Sequence, residues 1–353
     1  MTDSLDLAVI GTGPIGILSA TLAASAGHRV GVWSPRTAVE GKRLTLRCSG
    51  RLESSVEVEN ISGPESLAAW SHILVALPAT AYADVLGMAA PFLHGKQTVI
   101  LSGALSLVQF WLRDSVDWKG AAPDLVAWGT TLGTANRVAP LHARIATVRP
   151  RLGVSALPST RIEVLTGRCA ALFGDRFESS PAHLATLLAN INPIAHAGQV
   201  IPNLTRIENG EPWRLFANFS RAGARIAEAI DAERLEIGRR LGISLRSLDD
   251  HYRLSYAVEG RDLAALAQAI EAAGLGAPGP ESTRHRYIEE DVPYGLVVLQ
   301  RIGARVGAAT PNLDMAIALL SCGLDKPYAR MNPILAGLRL ETETAESLAR
   351  RFA

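Results

Sequence analysis

Asn192-Pro193-Ile194-Ala195-His196-Ala197-Gly198 sets one imidazole in a stretch of small and apolar residues just past the middle of the chain. A histidine exchanges a proton near neutral pH, so it suits a reaction in which a carbonyl or imine is reduced. Asn192 stands four residues earlier, and on a helix the two side chains share one face. Alone, such a histidine reads more simply as a packed or capping residue. A second candidate is Arg286-Tyr287-Ile288-Glu289-Glu290-Asp291-Val292-Pro293-Tyr294-Gly295-Leu296. Three consecutive acids precede an apolar helix predicted over Leu296 to Ile302. Two of them fit solvated or capping positions. One could be an internal carboxylate that orients a histidine and stabilises its charged form, and the residue types leave open which.

The third candidate lies near the start of the chain. Leu5 to Ile10 reads as a buried strand, Gly11-Thr12-Gly13-Pro14-Ile15-Gly16 follows at once, and Ile17 to Gly27 continues as an Ala/Leu-rich helix. This is G-x-G-x-x-G in its proper setting of strand, tight turn and helix, the signature of a dinucleotide site. Gly11 permits the turn, Gly13 lets the backbone approach a pyrophosphate, and Gly16 lets helix and strand pack closely. The helix amino terminus offers unpaired N–H groups to the phosphates. The second strand, His28 to Trp33, ends in Ser34-Pro35-Arg36 with Lys42 and Arg43 shortly after, where an NAD site commonly carries an acid. Ser34 and Arg36 would hydrogen-bond and neutralise a 2′-phosphate, so NADP(H) is favoured and NAD(H) stays compatible.

The elements that must position these groups divide the chain in two. Strands predicted at Ile73–Pro78, Thr98–Leu101, Asp124–Trp128, Ala143–Val148 and Leu152–Leu157 alternate with helices and imply a doubly wound parallel sheet. Leu77 and Pro78 fall at a strand's carboxyl end, where ligands collect in such sheets. After Pro158-Ser159-Thr160 the pattern turns helical. Ser220 caps a long helix that Gly242 stops, Ser244 begins another, and Asp262 to Ala273 forms a third. Arg225, Glu228, Glu233, Glu236 and Arg239 read as a wet helix face, and Asn203 to Trp213 as a loop flanking the site. The expected architecture is α/β: a doubly wound Rossmann domain over residues 1–160, then a mostly α-helical domain over 161–353 that supplies the substrate side of the cleft.

Composition narrows the function classes. At 353 residues two domains are expected, and 35 basic against 34 acidic residues, without a basic block, argue against nucleic acid or an anionic membrane as partner. Cys48, Cys169 and Cys322 are scattered and show no metal-ligand spacing, which fits reduced thiols in a cytoplasmic protein and no metal. No charged-then-apolar leader precedes the first strand, and no apolar run is long enough to span a membrane.

In this order the motifs resemble the octopine/nopaline (opine) dehydrogenase superfamily over nearly the whole chain. The matching pieces are Gly11-x-Gly13-x-x-Gly16, Val75-Ala76-Leu77-Pro78-Ala79, Gly129-Thr130-Thr131-Leu132 with Arg137, Asn192-Pro193-x-x-His196, and Arg286-Tyr287-x-x-Glu290-Asp291-Val292-Pro293-Tyr294-Gly295-Leu296. The resemblance implies a nicotinamide-dependent oxidoreductase that condenses an amino acid amine with a 2-keto acid and reduces the resulting imine. It implies His196 as general acid/base with Asp291 as its partner, Asn192 as a substrate or nicotinamide contact, and Arg286 as a carboxylate clamp. It also implies a monomer or dimer, and the apolar helix faces lean towards a homodimer. Trp128 and Thr134 stand where the family often carries glutamate and tyrosine, positions that would shape the substrate pocket. One rival is an NADP-dependent 2-ketoacid or 3-hydroxyacid reductase, which would use a lysine of the second domain. The lysines are Lys42, Lys96, Lys119 and Lys326, three of them in the first half. The other rival is a non-catalytic NADP(H)-binding sensor, which would need neither His196 nor Asp291.

Overall fold

The computed structural model describes residues 4–36, 40–118, 120–180 and 182–353. The chain forms two compact units, Met1–Leu187 with Ala353, and Leu188–Phe352. Among the described residues no helix is long and apolar enough to cross a membrane.

The first unit is built on β1 (Asp6–Ile10), followed by α1 (Pro14–Ser25) and β2 (Arg29–Trp33). β3 (Arg43–Gly50) and β4 (Ser54–Asn60) come next, then β5 (His72–Val75), α2 (Tyr82–Ala89), β6 (Thr98–Leu101), α3 (Val108–Ser115) and β7 (Asp124–Trp128). β8 (Gly133–Ala139), β9 (His142–Val148), β10 (Leu152–Leu157), α4 (Ile162–Phe173), β11 (Phe177–Ser179) and α5 (His183–Leu188) follow. The strands join one sheet in the order β11-β10-β7-β6-β5-β1-β2-β4-β3-β9-β8. The run from β7 to β4 is parallel, as the alternation of strands and helices predicts. The sheet as a whole is mixed, because β3 with β4, β8 with β9, and β7 with β10 pair antiparallel. The short connections from β3 to β4 and from β8 to β9 cannot make a parallel crossover, so those two pairs return antiparallel.

Leu7, Val9 and Ile10 of β1 and Ile17, Leu18 and Ala20 of α1 are buried almost completely. Each fully buried large aliphatic side chain contributes about 1.5–3 kcal/mol. α1 packs against β3, β4, β8 and β9 as well as β1 and β2, which is why its sequence is apolar on nearly every face. The sequence puts the domain boundary at residue 160. In the structure α4 and β11 still belong to the first unit, because Trp128 packs edge-on against Phe173 (5.4 Å) and tilted against Phe177 (5.1 Å). Trp128 is fully buried there and shapes a core rather than a pocket.

The second unit is helical. α6 (Asn192–Val200), α7 (Leu204–Glu208), α8 (Arg221–Arg240), α9 (Leu248–Tyr256), α10 (Leu263–Ala272) and α11 (Arg286–Glu289) lead to a π-helical turn over Val292–Leu296. α12 (Val297–Val306), α13 (Pro311–Gly323), α14 (Pro333–Leu338) and α15 (Ala345–Arg351) complete it. Ser220 caps α8 by accepting from the Gly223 N–H, and Gly242 at φ +71° follows its end, as the sequence indicates. α9 starts one turn later than expected, capped by Ser247 rather than Ser244. The expected loop over Asn203 to Trp213 is helical through Glu208.

α8 is also less wet than its charges suggest. Arg225 and Arg239 are exposed, but Glu233 is buried and its carboxylate accepts from the Asn312 and Leu313 N–H groups (2.7 and 2.9 Å), capping α13. Arg234 is fully buried and donates to Asp231, to the Leu188 carbonyl and to the Arg246 carbonyl, each at 2.7 Å. α6 and α8 cross at Gly198 and Gly223, where a Cβ on Gly198 would lie 2.5 Å from the Gly223 carbonyl oxygen.

Two outcomes follow from this packing. Gly198→Ala should destabilise the protein by about 1–3 kcal/mol through overpacking, seen as a lower urea midpoint at unchanged slope; an unchanged midpoint would mean that α6 and α8 can part freely. In the first unit, His183 is 2% exposed and its Nδ1 accepts from Gln109 Nε2 (3.1 Å), while burial lowers its pKa from the ordinary 6.5 to about 4. The unfolded chain therefore binds that proton more readily, and the stability from this group is full above pH 6.5 and is lost as pH falls towards 4. Urea midpoints measured from pH 7 to 4.5 should drop less for His183→Gln than for the unaltered protein, and equal drops would count against the assignment.

Candidate active site

The first unit carries a dinucleotide cradle. Gly11 follows β1 with φ +113°, a value for which glycine is the natural residue, and a Cβ there would lie 2.5 Å from the Ala76 carbonyl oxygen. A Cβ on Gly16 would drive into the Gly11 carbonyl, so α1 and β1 approach as closely as the motif requires. Gly13 differs: nothing lies within 4 Å of the place its Cβ would take. No packing among the described residues explains that glycine, and the open space fits a pyrophosphate drawn against the backbone. Gly13 is the N-cap of α1, with Pro14 in the first turn and no side chain capping it, so the first N–H groups, including those of Ile15 and Gly16, remain for an anion. Leu77 and Pro78 follow β5 beside Gly11. Ser34 follows β2, and its hydroxyl accepts from Thr12 Oγ1 at 3.1 Å, joining the turn to the strand end where an adenosine ribose is read. The residues present therefore fit a nicotinamide dinucleotide. Arg36 is exposed and borders residues 37–39, which lie outside the described residues. Arg43 does not approach the turn: it belongs to β3 and pairs with Glu57 at 3.2 Å.

The second unit carries the candidate proton-handling pair. His196 stands in the middle of α6 and Asp291 at the N-cap of the π-helical turn, 95 positions later. Their side chains meet at 2.5 Å between Nδ1 and Oδ2, with His196 9% and Asp291 2% exposed. A carboxylate only accepts, so Nδ1–H donates to Asp291 and the Nε2 lone pair is left for a reacting partner. The approach is built into the backbone. Gly295 lies so close to Pro193 that a Cβ would overlap the proline ring, and this seats the 291–296 turn on the start of α6. Tyr287 stacks on the His196 ring at 3.5 Å and 20°, and His285 meets the Tyr287 ring edge-on at 4.3 Å. His285 Nδ1 accepts from the Tyr287 N–H (3.3 Å), and burial together with the nearby His196 lowers its pKa to about 4. It is a neutral imidazole carrying its proton on Nε2.

The other predicted residues fall around this pair with different results. Asn192 opens α6 one turn before His196, half-buried, on the expected face. Arg286 is half-exposed and its guanidinium faces Glu290 at 3.9 Å. None of the three acids is merely solvated: Glu289 accepts from Lys326 (2.6 Å) and Tyr328 (3.2 Å), Glu290 is buried, and Asp291 takes the histidine. The Tyr287 stack and His285 escaped the sequence reading. Their signal is the run of imidazole, guanidinium and phenol at His285-Arg286-Tyr287, just ahead of the three acids. Among the described residues no group of three His, Cys, Asp or Glu side chains is arranged to hold a metal ion.

Comparison with known proteins agrees with both halves. Residues 179–323 match the model of the NAD/NADP octopine/nopaline dehydrogenase alpha-helical domain. An opine dehydrogenase of Arthrobacter sp. (strain 1C) is 25% identical over 281 residues, 78% of this chain and 77% of that protein. The structure of an octopine dehydrogenase in complex with NADH and agmatine superposes with a TM-score of 0.76 at 18% identity, covering 98% of each chain. That of an NADP+-bound yersinopine dehydrogenase does so with a TM-score of 0.70 at 14% identity, covering 97% of this chain and all of that one. At such identities the structural likenesses establish the fold, a mixed α/β unit followed by a helical one. The helical-domain model and the sequence relative carry the likeness further: residues 179–323 match the alpha-helical domain of NAD/NADP octopine/nopaline dehydrogenases, and the chain is similar to an opine dehydrogenase over 78% of its length.

Proposed function

We propose that this protein joins the amino group of an amino acid to a 2-keto acid and reduces the resulting imine to a secondary amine dicarboxylate. The observation that carries the reading is the buried His196–Asp291 pair, which fixes one imidazole nitrogen and leaves the other to act on substrate. The amine enters as an ammonium, and the free Nε2 of His196 takes one of its protons. The nitrogen then adds to the keto carbon, a proton passes from nitrogen to the new alkoxide to give a carbinolamine, and His196 returns its proton to that hydroxyl, which leaves as water with the iminium carbon as acceptor. NADPH or NADH, when bound to the glycine turn, supplies the hydride. Asp291 holds the ring in the tautomer that presents Nε2 and stabilises its charged form. Tyr287, stacked on the ring, limits its rotation.

Both substrates bring carboxylates, and Arg286 is the guanidinium nearest the pair in sequence, which supports its role as the clamp. Asn192, on the His196 face of α6, is the proposed amide contact to substrate or nicotinamide. Ser34-Pro35-Arg36 without an acid after β2 supports NADP(H) as the preferred cofactor. Lys326, the lysine of the second unit, is engaged with Glu289, which counts against a lysine-dependent ketoacid reductase.

The reading is tested by following NADPH and NADH oxidation with amino acids crossed against pyruvate, 2-oxoglutarate and glyoxylate. Turnover should require both an amine and a keto acid, whereas turnover with a keto acid alone would replace the reading with a simple reductase. Silence on the whole panel with cofactor binding intact would favour a sensor. His196→Ala should lower kcat by about a hundred-fold to ten-thousand-fold with cofactor affinity retained. Asp291→Asn, which keeps the shape but not the charge, should lower it by about ten-fold to a hundred-fold. Full activity in either variant would remove the pair from the chemistry.

A further inference from the structure

Arg137 is a residue of β8, far from the glycine turn in sequence and on the edge strand of the sheet, yet its Nη2 donates to the Thr12 carbonyl oxygen at 3.1 Å. The path is a matter of topology. β9 pairs with β3, β8 pairs with β9, and both pack on α1, so the hairpin comes back to the start of that helix. The β8–β9 register shifts between Arg137 and Ala139, a local irregularity of the kind that re-aims a side chain. One guanidinium N–H is used on Thr12. Among the described residues the others have no partner and the side chain is exposed.

Thr12 lies between Gly11 and Gly13, and its hydroxyl is tied to Ser34 at the end of β2. The cation is therefore anchored at the corner of the cradle where an adenosine ribose is read, while the helix N–H groups and the open side of Gly13 receive the pyrophosphate. Arg36, the cation nearest this corner in sequence, makes no hydrogen bond or ion pair among the described residues. We propose that Arg137, together with Ser34, recognises the 2′-phosphate of NADP(H), so that cofactor choice is set by a residue of the returning hairpin. The proposal rests on the dinucleotide reading of the glycine turn. It predicts a charge-assisted fork on the phosphate from Arg137 and a hydroxyl contact from Ser34.

The test is binding of NADPH and of NADH to the full chain without substrates, followed by tryptophan quenching or nucleotide fluorescence. Arg137→Gln keeps a donor for Thr12 and removes the charge, and a thermal midpoint checks that it folds. NADPH should bind about ten-fold or more weaker and NADH within about two-fold of the unaltered protein. Arg137→Lys should recover part of the loss. Equal weakening of both cofactors would overturn the proposal and move Arg137 to the pyrophosphate or to support of the turn. Unchanged binding of both would remove it from the site. The NADPH to NADH ratio of the unaltered protein tests the broader preference separately, because it does not depend on which arginine is responsible.

Discussion

The hydrogen bond from His196 to Asp291 is the constraint on which the second unit depends. A carboxylate as buried as Asp291 is costly unless something compensates it, and the imidazole N–H does so directly. Three close approaches hold the pair in register. The Gly295 backbone seats against the Pro193 ring, Gly198 meets Gly223 where α6 crosses α8, and the Tyr287 ring lies flat on the imidazole. The small residues around His196 read at first as a featureless helix. Their smallness is what lets backbone come near enough to fix the ring.

The first unit solves the opposite problem. There the groups offered to a ligand are main-chain N–H groups, and the sequence keeps side chains away from them. Gly11 and Gly16 are filled by neighbouring backbone, but Gly13 opens on empty space, and that difference separates a packing glycine from a binding one. A buried pair organises one unit and a bare turn the other, and the proposed reductive condensation would draw its proton from the first and its hydride donor from the second.

Much of this was legible in the sequence because it is local. Strand, turn and helix at residues 5–27 declare themselves by periodicity and by glycine spacing, and helix caps such as Ser220 and Asp262 are written within four residues of the N–H they satisfy. What stayed hidden is non-local. Leu44, Leu46 and Cys48 alternate with Arg43, Thr45 and Arg47 as a half-buried strand should, but nothing nearby said that β3 and β4 would extend the sheet. Glu233 and Arg234 look like a solvated helix face until the helix start they cap and the carbonyls they satisfy arrive from other segments. Asp291 could be told from Glu289 and Glu290 by family resemblance, whereas its burial and its histidine are facts of tertiary structure.

The enclosure of α1 and Trp128 bears on how the chain can be dissected. A fragment ending near residue 160 would contain every residue of the glycine turn, yet it would lack the Phe173 and Phe177 rings that cover Trp128. Such a piece would be a sticky half-module whose loss of cofactor affinity reported on solubility rather than on recognition. The boundary between the two compact units lies instead at Leu187 and Leu188, and a chimera with a relative's half would be cut there, with each core left whole.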